Sequence, residues 1–463
     1  PSDTRAGSFT KDHCPNKAPW TDHGAYWAED SAPLPATSSD IMTDADVVIV
    51  GSGYTGMHAA IVTARAGKTT QVLEAQTPGW GCSTRNGGQI SSSVKPTLAE
   101  LTKRFGPDRA RAIRAEGDAS LDWIETFIKD NGIACDFMRN GRFHAAHTPQ
   151  HFETLVREAA RLGDEENIPI TVIPRHEQHK ELGSDIYYGG LVFERHASLH
   201  PAKYYAGILQ TALDAGVRVT GHCPAVNITK SGTGYIVTTP KGQIKTGKLV
   251  LATNGYSGDL MPWVRRRVIP IGSYIIATDP LPKPLMDKLF PTNRAISDSC
   301  KIVYYFRPSP DRSRVLFGGR VSANETNPAI SGPKLKQDMC RIFPELQPYG
   351  VSHSWCGTVA YSFDELMHIG VNEGVHFAMG YCGSGVGMAS YLGMRLGQQT
   401  LALPQGKTAL DNIAFPTRPF YTGKPWFLPA MVGWYRWCDG WQMKRAFKYS
   451  ANKGAERFAE NAS

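Results

Sequence analysis

The sequence has no long apolar run and no cysteine pair spaced to hold a metal. No stretch approaches the length, about 18 apolar residues, that a membrane-spanning helix requires, and the first residues lack the basic-then-apolar order of a secretory signal. The nine cysteines are odd in number and scattered, and no two stand as C-x-x-C. We therefore expect a cytoplasmic protein with neither a metal site nor a disulfide framework.

Excess charge is also small for a chain of 463 residues. Lys and Arg number 50 against 42 Asp and Glu, a formal net charge of +8. The basic residues do not form the Arg clusters interleaved with aromatics that nucleic-acid binding needs, so nucleic acid is not expected as a partner. With 41% hydrophobic residues the chain resembles an ordinary globular protein of two or three domains, in which a mild positive surplus would attract an anionic ligand.

The strongest pattern spans residues 46–75. A short apolar strand, Asp46 to Val50, leads into Gly51, Gly53 and Gly56, spaced as G-x-G-x-x-G. A predicted helix from Tyr54 to Ala66 and a second strand from Thr69 to Leu73 follow, and Glu74 ends that strand. These glycines turn the chain, admit a pyrophosphate and allow close helix packing, while a terminal acid accepts hydrogen bonds from a ribose. The pattern predicts a dinucleotide site, for NAD or FAD.

Two further glycine clusters favour FAD. One is "STRNGGQISS", residues 83–92, directly after the second strand, and the other lies in "VHFAMGYCGSGVGMASYLGMRLG", residues 375–397. The second cluster predicts a strand, a glycine turn and a helix whose N-terminal amides face an electron-rich ligand edge. A site assembled from both ends of the chain suits FAD, whose adenine and isoalloxazine lie far apart.

The predicted fold class is α/β (α+β overall), a discontinuous Rossmann-like FAD-binding domain with an antiparallel-sheet substrate domain. The apolar run 248–253 is expected to be a buried strand of the same sheet as the first, whereas 264–349 suit an antiparallel sheet. The predicted divisions are an N-terminal arm at 1–44, a FAD-binding domain at 45–95, 195–263 and 350–410, a substrate-binding domain at 96–194 and 264–349, and an aromatic and basic tail at 411–463.

The chain also resembles the D-amino-acid oxidase family of flavoproteins, and within it most closely the gamma-glutamylputrescine oxidase branch. The resemblance covers nearly the whole chain and rests on "VVIVGSGYTGMHAA", "GCSTRNGGQIS", "LVLATNGYSGDLMPWVRRRVIPIGSYIIAT", "YYFRPSPDRSRVLFGG", "WCGTVAYSFDELMHIG" and "MGYCGSGVGMASYLG". It implies a two-domain flavoenzyme that holds its substrate between the flavin and an antiparallel sheet.

The resemblance also implies which residues hold FAD. They are Gly51, Gly53, Tyr54, Thr55, Gly56, Glu74 and Ala75 for the ADP half, Arg85, Asn86, Gly87, Gly88 and Gln89 for the pyrophosphate and flavin, Val226, Ala252, Thr253 and Asn254 at the adenine side, and Gly383, Ser384, Gly385, Val386, Gly387 and Met388 at the flavin pyrimidine edge. Non-covalent FAD is expected, with Cys356 and Cys382 as buried, inert thiols rather than attachment points.

The implied reaction is oxidation of a primary or secondary amine, either a polyamine derivative or an amino acid. A hydride leaves the C–H next to nitrogen, water hydrolyses the imine, and O2 takes the electrons as H2O2. The alternative is a dehydrogenase that passes electrons to quinone or another acceptor. The candidate catalytic residues are Lys301, Tyr305 and Arg307, and strand alternation places Lys301 and Tyr305 on one side.

Each catalytic candidate has a structural alternative. Lys301 either activates oxygen or is a solvated lysine at a strand start. Arg307 either binds a substrate carboxylate through a bidentate fork or pairs with Asp311, a choice that separates amino acids from simple amines. Tyr305, like Tyr304, is expected to be a pocket wall rather than an acid or base.

The tail holds four of the ten tryptophans together with Lys444, Arg445 and Lys448. Met431, Trp434, Cys438 and Trp441 share one helical face, which predicts an amphipathic helix. Such a helix either rests on a membrane surface or packs over its own domain or a partner subunit, and the packed arrangement is favoured.

Overall fold

The computed structural model describes residues 25–166, 168–319 and 327–460. Much of the predicted N-terminal arm, residues 1–24, and a short part of the predicted substrate domain, residues 320–326, therefore lie outside the described residues. The helices are α1 (Tyr54–Arg65), α2 (Leu98–Phe105), α3 (Pro107–Asp130), α4 (Pro149–Glu166), α5 (Pro201–Asp214), α6 (Pro262–Arg265), α7 (Lys283–Leu289), α8 (Pro328–Ile342), α9 (Gly385–Thr400) and α10 (Leu428–Glu460).

The strands form three sheets. They are β1 (Asp44–Val50), β2 (Thr70–Leu73), β3 (Gln89–Ile90), β4 (Arg142–Ala145), β5 (Ile170–Ile173), β6 (Gly190–Phe193), β7 (Ala197–Ser198), β8 (Arg218–Thr220), β9 (Asn227–Ser231), β10 (Gly234–Thr239), β11 (Gly242–Leu251), β12 (Ile269–Thr278), β13 (Ala295–Asp298), β14 (Tyr305–Pro308), β15 (Val315–Gly319), β16 (Val351–Tyr361), β17 (His368–Asn372) and β18 (Val375–Met379).

The first sheet contains the strands on either side of the glycine turn. Its order is β17-β18-β11-β1-β2-β8, and β10 and β9 extend it from β11. Every neighbouring pair from β18 to β8 is parallel, with Val48 of β1 opposite Leu249 of β11. The run 248–253 thus enters the sheet of the first strand, as expected. Because ligands bind beyond the carboxyl ends of parallel strands, β1, β2 and β11 direct a ligand to one edge.

The second sheet contains the strands of the predicted substrate domain together with β16. Its order is β16-β12-β15-β14-β13-β4-β6-β5. All pairs are antiparallel except β13 with β4, which run parallel. Its buried side chains Ile276 and Phe317 pack with Leu335 and Met339 of α8 in a core of their own. β3 and β7 form a separate two-stranded sheet.

Two stretches sit in a different unit from the predicted one. β16 was expected in the FAD-binding domain, but it pairs along the whole of β12 and so belongs to the second sheet. α2 and α3 were expected in the substrate domain, but Leu101, Leu121 and Ile124 are buried in the core built around α1 and α9. An apolar stripe on a helix shows which of its faces is buried, but it does not show which sheet that face packs against. The sequence pattern therefore could not assign α2 and α3 to a domain.

The segment 301–304 is not the predicted strand, because β14 begins only at Tyr305. Its amides bond to buried carboxylates instead of to a neighbouring strand. Lys301 and Ile302 donate to Asp439 of α10 at 3.0 Å each, and Tyr304 donates to Asp298 at 3.0 Å. Side-chain acceptors of this kind compete with strand pairing. The alternation predicted from Lys301 to Tyr305 is therefore wrong.

α10 packs on the body through a different face from the predicted one. Leu428, Val432 and Ala446 are buried, whereas Trp434 and Trp441 are 59% and 49% exposed. Of the predicted face, Met431 packs against the body, whereas Trp434 and Trp441 point largely to solvent, where their rings stack on Trp437. The helical spacing correctly placed these residues on one face of α10. The aromatic residues on that face did not show which side of the helix packs on the body. In the described part of the chain, every helix is too short or too polar to cross a bilayer.

Candidate active site

The turn between β1 and α1 has room for a ligand at one glycine only. Gly51 has φ +103°, and a Cβ there would lie 2.8 Å from the carbonyl oxygen of Ala252. A Cβ at Gly56 would overlap the carbonyl oxygen of Gly51. At Gly53 a Cβ would meet only the Ser83 hydroxyl, at 3.1 Å. The fold itself therefore requires Gly51 and Gly56, whereas at Gly53 a Cβ would press only on a side-chain hydroxyl, as expected where a pyrophosphate approaches the backbone.

The N-terminus of α1 is suited to a phosphate. Gly53 is its N-cap residue and provides no side chain to bond the first amides. The Tyr54 amide donates to Ser83 Oγ at 3.1 Å, which fixes the second glycine cluster beside the helix end. Uncapped amides and the helix dipole attract anions. The predicted residues Tyr54, Thr55 and Gly56 all lie in this first turn and are buried.

Glu74 lies at the end of β2 with part of its carboxylate free. It accepts hydrogen bonds from the Ser52 amide and hydroxyl at 3.1 and 2.7 Å and from the Gln76 amide at 3.0 Å. An ionised carboxylate has about four acceptor positions, so capacity remains for a ribose hydroxyl. Ala75 follows directly in the chain. Val226, 56% exposed, donates its amide to the Thr238 carbonyl at 2.8 Å.

Residues 252–254 close the turn from the end of β11. Ala252 donates its amide to Val50, and Thr253 shares a hydrogen bond with Ser257 at 2.7 Å. Asn254 has φ +42° and accepts the Gly380 amide at 3.0 Å. This bond joins the end of β11 to the segment that leads into α9.

The loop Arg85–Gln89 is held by two indole rings from distant parts of the chain. Trp27 donates to the Asn86 carbonyl and Trp355 to the Arg85 carbonyl, each at 2.8 Å. Within the loop, Asn86 Oδ1 accepts the Gly88 amide at 2.8 Å. The Arg85 guanidinium lies 4.5 Å from the ring centroid of Trp80, and burial lowers its pKa. The loop backbone is thus fixed before any ligand binds.

The same loop offers a donor and an open surface to a ligand. Gln89 Nε2 is buried and has no hydrogen-bond partner among the described residues. Such an orphaned donor is costly unless a ligand accepts from it. A Cβ at Gly87 would lie 3.2 Å from the ring of Tyr305, so this loop meets the second sheet at β14. Together with the space at Gly53, these features fit a long dinucleotide that reaches from the first sheet to the second.

The turn before α9 presents a second helix N-terminus. Cys382 and Gly383 have φ +51° and +98°, and the N-cap Ser384 makes no capping bond, since its hydroxyl donates to the Ser93 carbonyl at 2.9 Å. The amides of 385–388 are therefore uncapped by side chains, as the predicted contact with an electron-rich ring edge requires. Burial raises the pKa of the Cys382 thiol, and non-covalent attachment stays a prediction.

Tyr305 lies where the loop meets the second sheet. Its hydroxyl and that of Ser273 share a hydrogen bond at 2.7 Å, and a Cβ at Gly318 would overlap its ring. Burial raises the pKa of Tyr305 well above 10, so the phenol stays neutral. It can donate or accept one hydrogen bond, but it does not act as an ionised base.

Arg307 bonds to the protein backbone. Its Nη1 donates to the carbonyls of Leu199 at 3.0 Å and Gly88 at 3.2 Å, and its Nε donates to Pro308 at 3.2 Å. The side chain is 3% exposed, and burial lowers its pKa to about 10. Asp311 accepts from Ser309 and Ser313 instead, so the predicted alternative of an Arg307–Asp311 pair is wrong. Arg307 stabilises the turn at Gly88.

Lys301 is exposed, and its contacts are with α10. Its ammonium lies 5.2 Å from the ring centroid of Tyr435, and its amide bonds to Asp439. Neither contact involves the glycine turns. Of the three catalytic candidates, only Tyr305 and Arg307 are brought against the Arg85–Gln89 loop.

Sequence reasoning missed the groups that hold this loop, chiefly Trp27, Trp355 and Ser83. Trp27 is 59 residues from its acceptor and Trp355 is 270 residues from its own. No local pattern encodes such pairs. The one available signal was Trp27 itself, an aromatic residue in an otherwise polar segment.

A model of the family described as "DAO: FAD dependent oxidoreductase" matches residues 46–399. Among curated relatives, the chain is 30% identical over 377 residues to the probable oxidoreductase OrdL of Rhizobium meliloti, a match that covers 81% of this chain and 87% of that protein. It is 28% identical over 415 residues to gamma-glutamylputrescine oxidoreductase of Escherichia coli, covering 88% of this chain and 96% of that one.

Solved structures share the fold. Glycine oxidase from Geobacillus kaustophilus superposes with a TM-score of 0.66 at 18% identity, covering 82% of this chain and 99% of that one. L-Proline dehydrogenase from P. horikoshii superposes with a TM-score of 0.65 at 18% identity, covering 84% of this chain and 99% of that one. The family match spans both glycine turns and the Arg85–Gln89 loop, which confirms the predicted FAD cofactor. The chain therefore belongs to the DAO family of FAD-dependent oxidoreductases.

Proposed function

We propose that the protein oxidises a primary or secondary amine at the C–H next to nitrogen, with O2 as the electron acceptor. For a primary amine, the balanced reaction consumes the amine, O2 and water and yields an aldehyde, ammonia and H2O2. FAD, when bound, supplies the two-electron acceptor for the hydride. Residues of the loop 85–89 and of the two helix N-termini would hold it.

The observation that carries the amine class is the bonding of Arg307. A bidentate grip on a carboxylate uses Nη2 together with either Nε or Nη1. Both of those nitrogens already donate to backbone carbonyls. Arg307 therefore offers no free fork to the α-carboxylate of an amino acid, which favours an amine without one.

The side chains facing the loop suit a neutral amine. The hydride can leave only when the nitrogen lone pair is free, so the pocket must disfavour the ammonium form. Tyr305 and Ser273 are uncharged and their hydroxyls are bonded to each other. They can bond to an amine nitrogen without supplying the negative charge that would keep it protonated.

The curated relatives guide the choice of substrate. One of them is named gamma-glutamylputrescine oxidoreductase and covers most of this chain. Polyamine derivatives with one free amine are accordingly the first class to test.

The test is anaerobic mixing of the yellow holoenzyme with two panels, one of acylated and free polyamines and one of D- and L-α-amino acids. We expect amines to remove the flavin absorbance and α-amino acids of similar length to leave it. Admitting O2 should then give one H2O2 per amine consumed. Faster reduction by α-amino acids would refute the amine class, and reduction without peroxide would refute O2 as the acceptor in favour of a dehydrogenase.

A further inference from the structure

The face of the second sheet that carries Tyr305 continues as a polar row away from the flavin loop. Ser297 of β13 is opposite Tyr305 of β14, and His144 of β4 is opposite Ser297. Residues opposite each other on neighbouring strands project to the same side. His144 Nδ1 and Ser297 Oγ share a hydrogen bond at 2.9 Å. The row therefore leads from the proposed oxidation site across two strands.

Arg142 stands at the far end of this row, two residues before His144 on β4. Among the described residues it forms no ion pair, and its Nε is buried without a hydrogen-bond partner. Its guanidinium lies 5.1 Å from the ring centroid of Phe193. Burial lowers the pKa of Arg142 to about 10, and no acidic group offsets that effect. The Arg142 side chain as a whole is half-buried, and its buried Nε is the atom that gains most from an acceptor on a ligand.

A second orphaned polar atom lies beside this arginine. It is His196 Nδ1, which is buried and has no hydrogen-bond partner in the described chain. The His196 ring stacks on Phe193 at 5.2 Å, and Phe193 is the ring that the Arg142 guanidinium also contacts. Burial together with the positive charge of Arg142 lowers the pKa of His196 well below 6.5. His196 is only 2% exposed.

We propose that Arg142 and His196 form a subsite for a carboxylate carried by the amine substrate far from its oxidised carbon. The cation supplies the charge, and Arg142 Nε and His196 Nδ1 supply hydrogen-bonding atoms that no described residue bonds. This inference rests on the proposed amine oxidation, and it adds the substrate's second recognition group.

The sheet geometry sets the length of that substrate. β14 and β4 are separated by β13 alone, so Tyr305 and His144 lie two strand spacings apart, about 10 Å. Arg142 is two residues further along β4, which makes the distance from Tyr305 about 12 Å. An extended chain of about eight bonds covers about 10 Å, and the hydrogen bond to the guanidinium covers the rest. The carboxylate of an α-amino acid, attached to the oxidised carbon itself, cannot reach Arg142. The subsite therefore selects amines with a remote carboxylate.

Two matched probes test the carboxylate. N-Succinylputrescine places its carboxylate about eight bonds from the oxidised carbon, and N-butanoylputrescine has the same chain with a methyl group instead. With the holoenzyme, we expect KM for the succinyl probe to be about 10- to 100-fold lower, the range expected for hydrogen bonds to a charged group. In Arg142→Gln the two KM values should converge, whereas Arg142→Lys should keep part of the preference.

Arg157→Gln serves as the matched control, because Arg157 is exposed on α4. It should leave both KM values unchanged. Flavin content and melting temperature of each variant show that it is folded and loaded. Equal KM values for the two probes in the unmodified enzyme, or an equal rise in both with Arg142→Gln, would overturn the subsite.

A binding measurement separates this inference from the proposed function. N-Butylsuccinamic acid has the carboxylate but no amine, so it cannot be oxidised. Calorimetry should show binding to the unmodified holoenzyme and not to Arg142→Gln, whether or not any amine reduces the flavin. Oxidation of amines without such binding would refute the subsite alone, and binding without amine oxidation would refute the proposed function alone.

Discussion

Replacing Gly53 with alanine should separate FAD binding from folding. Gly53 has φ −67° and ψ 179°, a conformation that alanine adopts without strain, and the added methyl would meet only Ser83 Oγ at 3.1 Å. Alanine also restricts the unfolded chain, which stabilises by about 0.4–1 kcal/mol. We expect the free energy of unfolding of the apoprotein to change by less than about 1 kcal/mol.

FAD binding should respond quite differently. The methyl group would occupy the space through which the pyrophosphate approaches the helix N-terminus. Forcing an extra methyl into a filled site costs about 1–3 kcal/mol, which corresponds to a Kd for FAD that is about 5- to 150-fold higher. Titration of the apoprotein by quenching of FAD fluorescence measures this Kd, and urea unfolding of the same preparation measures stability.

Gly56→Ala provides the contrast. Its methyl would overlap the Gly51 carbonyl oxygen and lie 3.3 Å from Ala252 Cβ, and backbone cannot move aside as a side chain can. We expect the apoprotein to lose about 3 kcal/mol. The reasoning fails if Gly53→Ala binds FAD as tightly as the unmodified protein, or if it loses as much stability as Gly56→Ala.

Three other predictions concern stability and the flavin loop. Arg142→Met removes a half-buried cation whose buried Nε has no partner and should raise the free energy of unfolding by about 1 kcal/mol in urea; a decrease would contradict the absence of a partner. Trp27→Phe and Trp355→Phe each remove one indole donor and should raise the Kd of FAD about fivefold, and an unchanged Kd would count against their role. Burial raises the pKa of Asp298 to about 7, above its unfolded value, so stability should fall as pH rises from about 4 to 7, and Asp298→Asn should flatten that slope in pH-dependent melting curves.

The nucleotide end of the site was predictable because it is local in sequence. Gly51, Gly53 and Gly56 act within one turn, and helix α1 ends within one residue of the prediction. Glu74 follows β2 immediately, so its position at the same sheet edge follows from strand order. Short-range geometry of this kind leaves few alternatives, and the structure shows the same order of strand, turn, helix and strand.

The substrate end was not predictable because its contacts are long-range. The buried carboxylate of Asp439 binds the amides of Lys301 and Ile302 across 138 and 137 residues, and an irregular segment therefore stands where a strand was predicted. Likewise β16 joins the second sheet because it pairs with β12. The alternation of apolar and polar residues within β16 gives no indication of that partner. Alternation shows which residues share a face, but pairing decides which sheet they join.

Two arginines on nearby strands show why environment identifies the substrate end. Arg307 on β14 and Arg142 on β4 have only β13 between them. Three backbone carbonyls satisfy Arg307, whereas Arg142 keeps a buried nitrogen without an acceptor. A guanidinium with two of its three nitrogens already bonded offers no fork to a carboxylate, whereas a buried nitrogen without an acceptor gains from an anion. The motif in the sequence marked Arg307, whereas the unbonded Nε favours Arg142 as the recognition group. The subsite proposed there would place the carboxylate far from the reacting carbon and would disfavour α-amino acids.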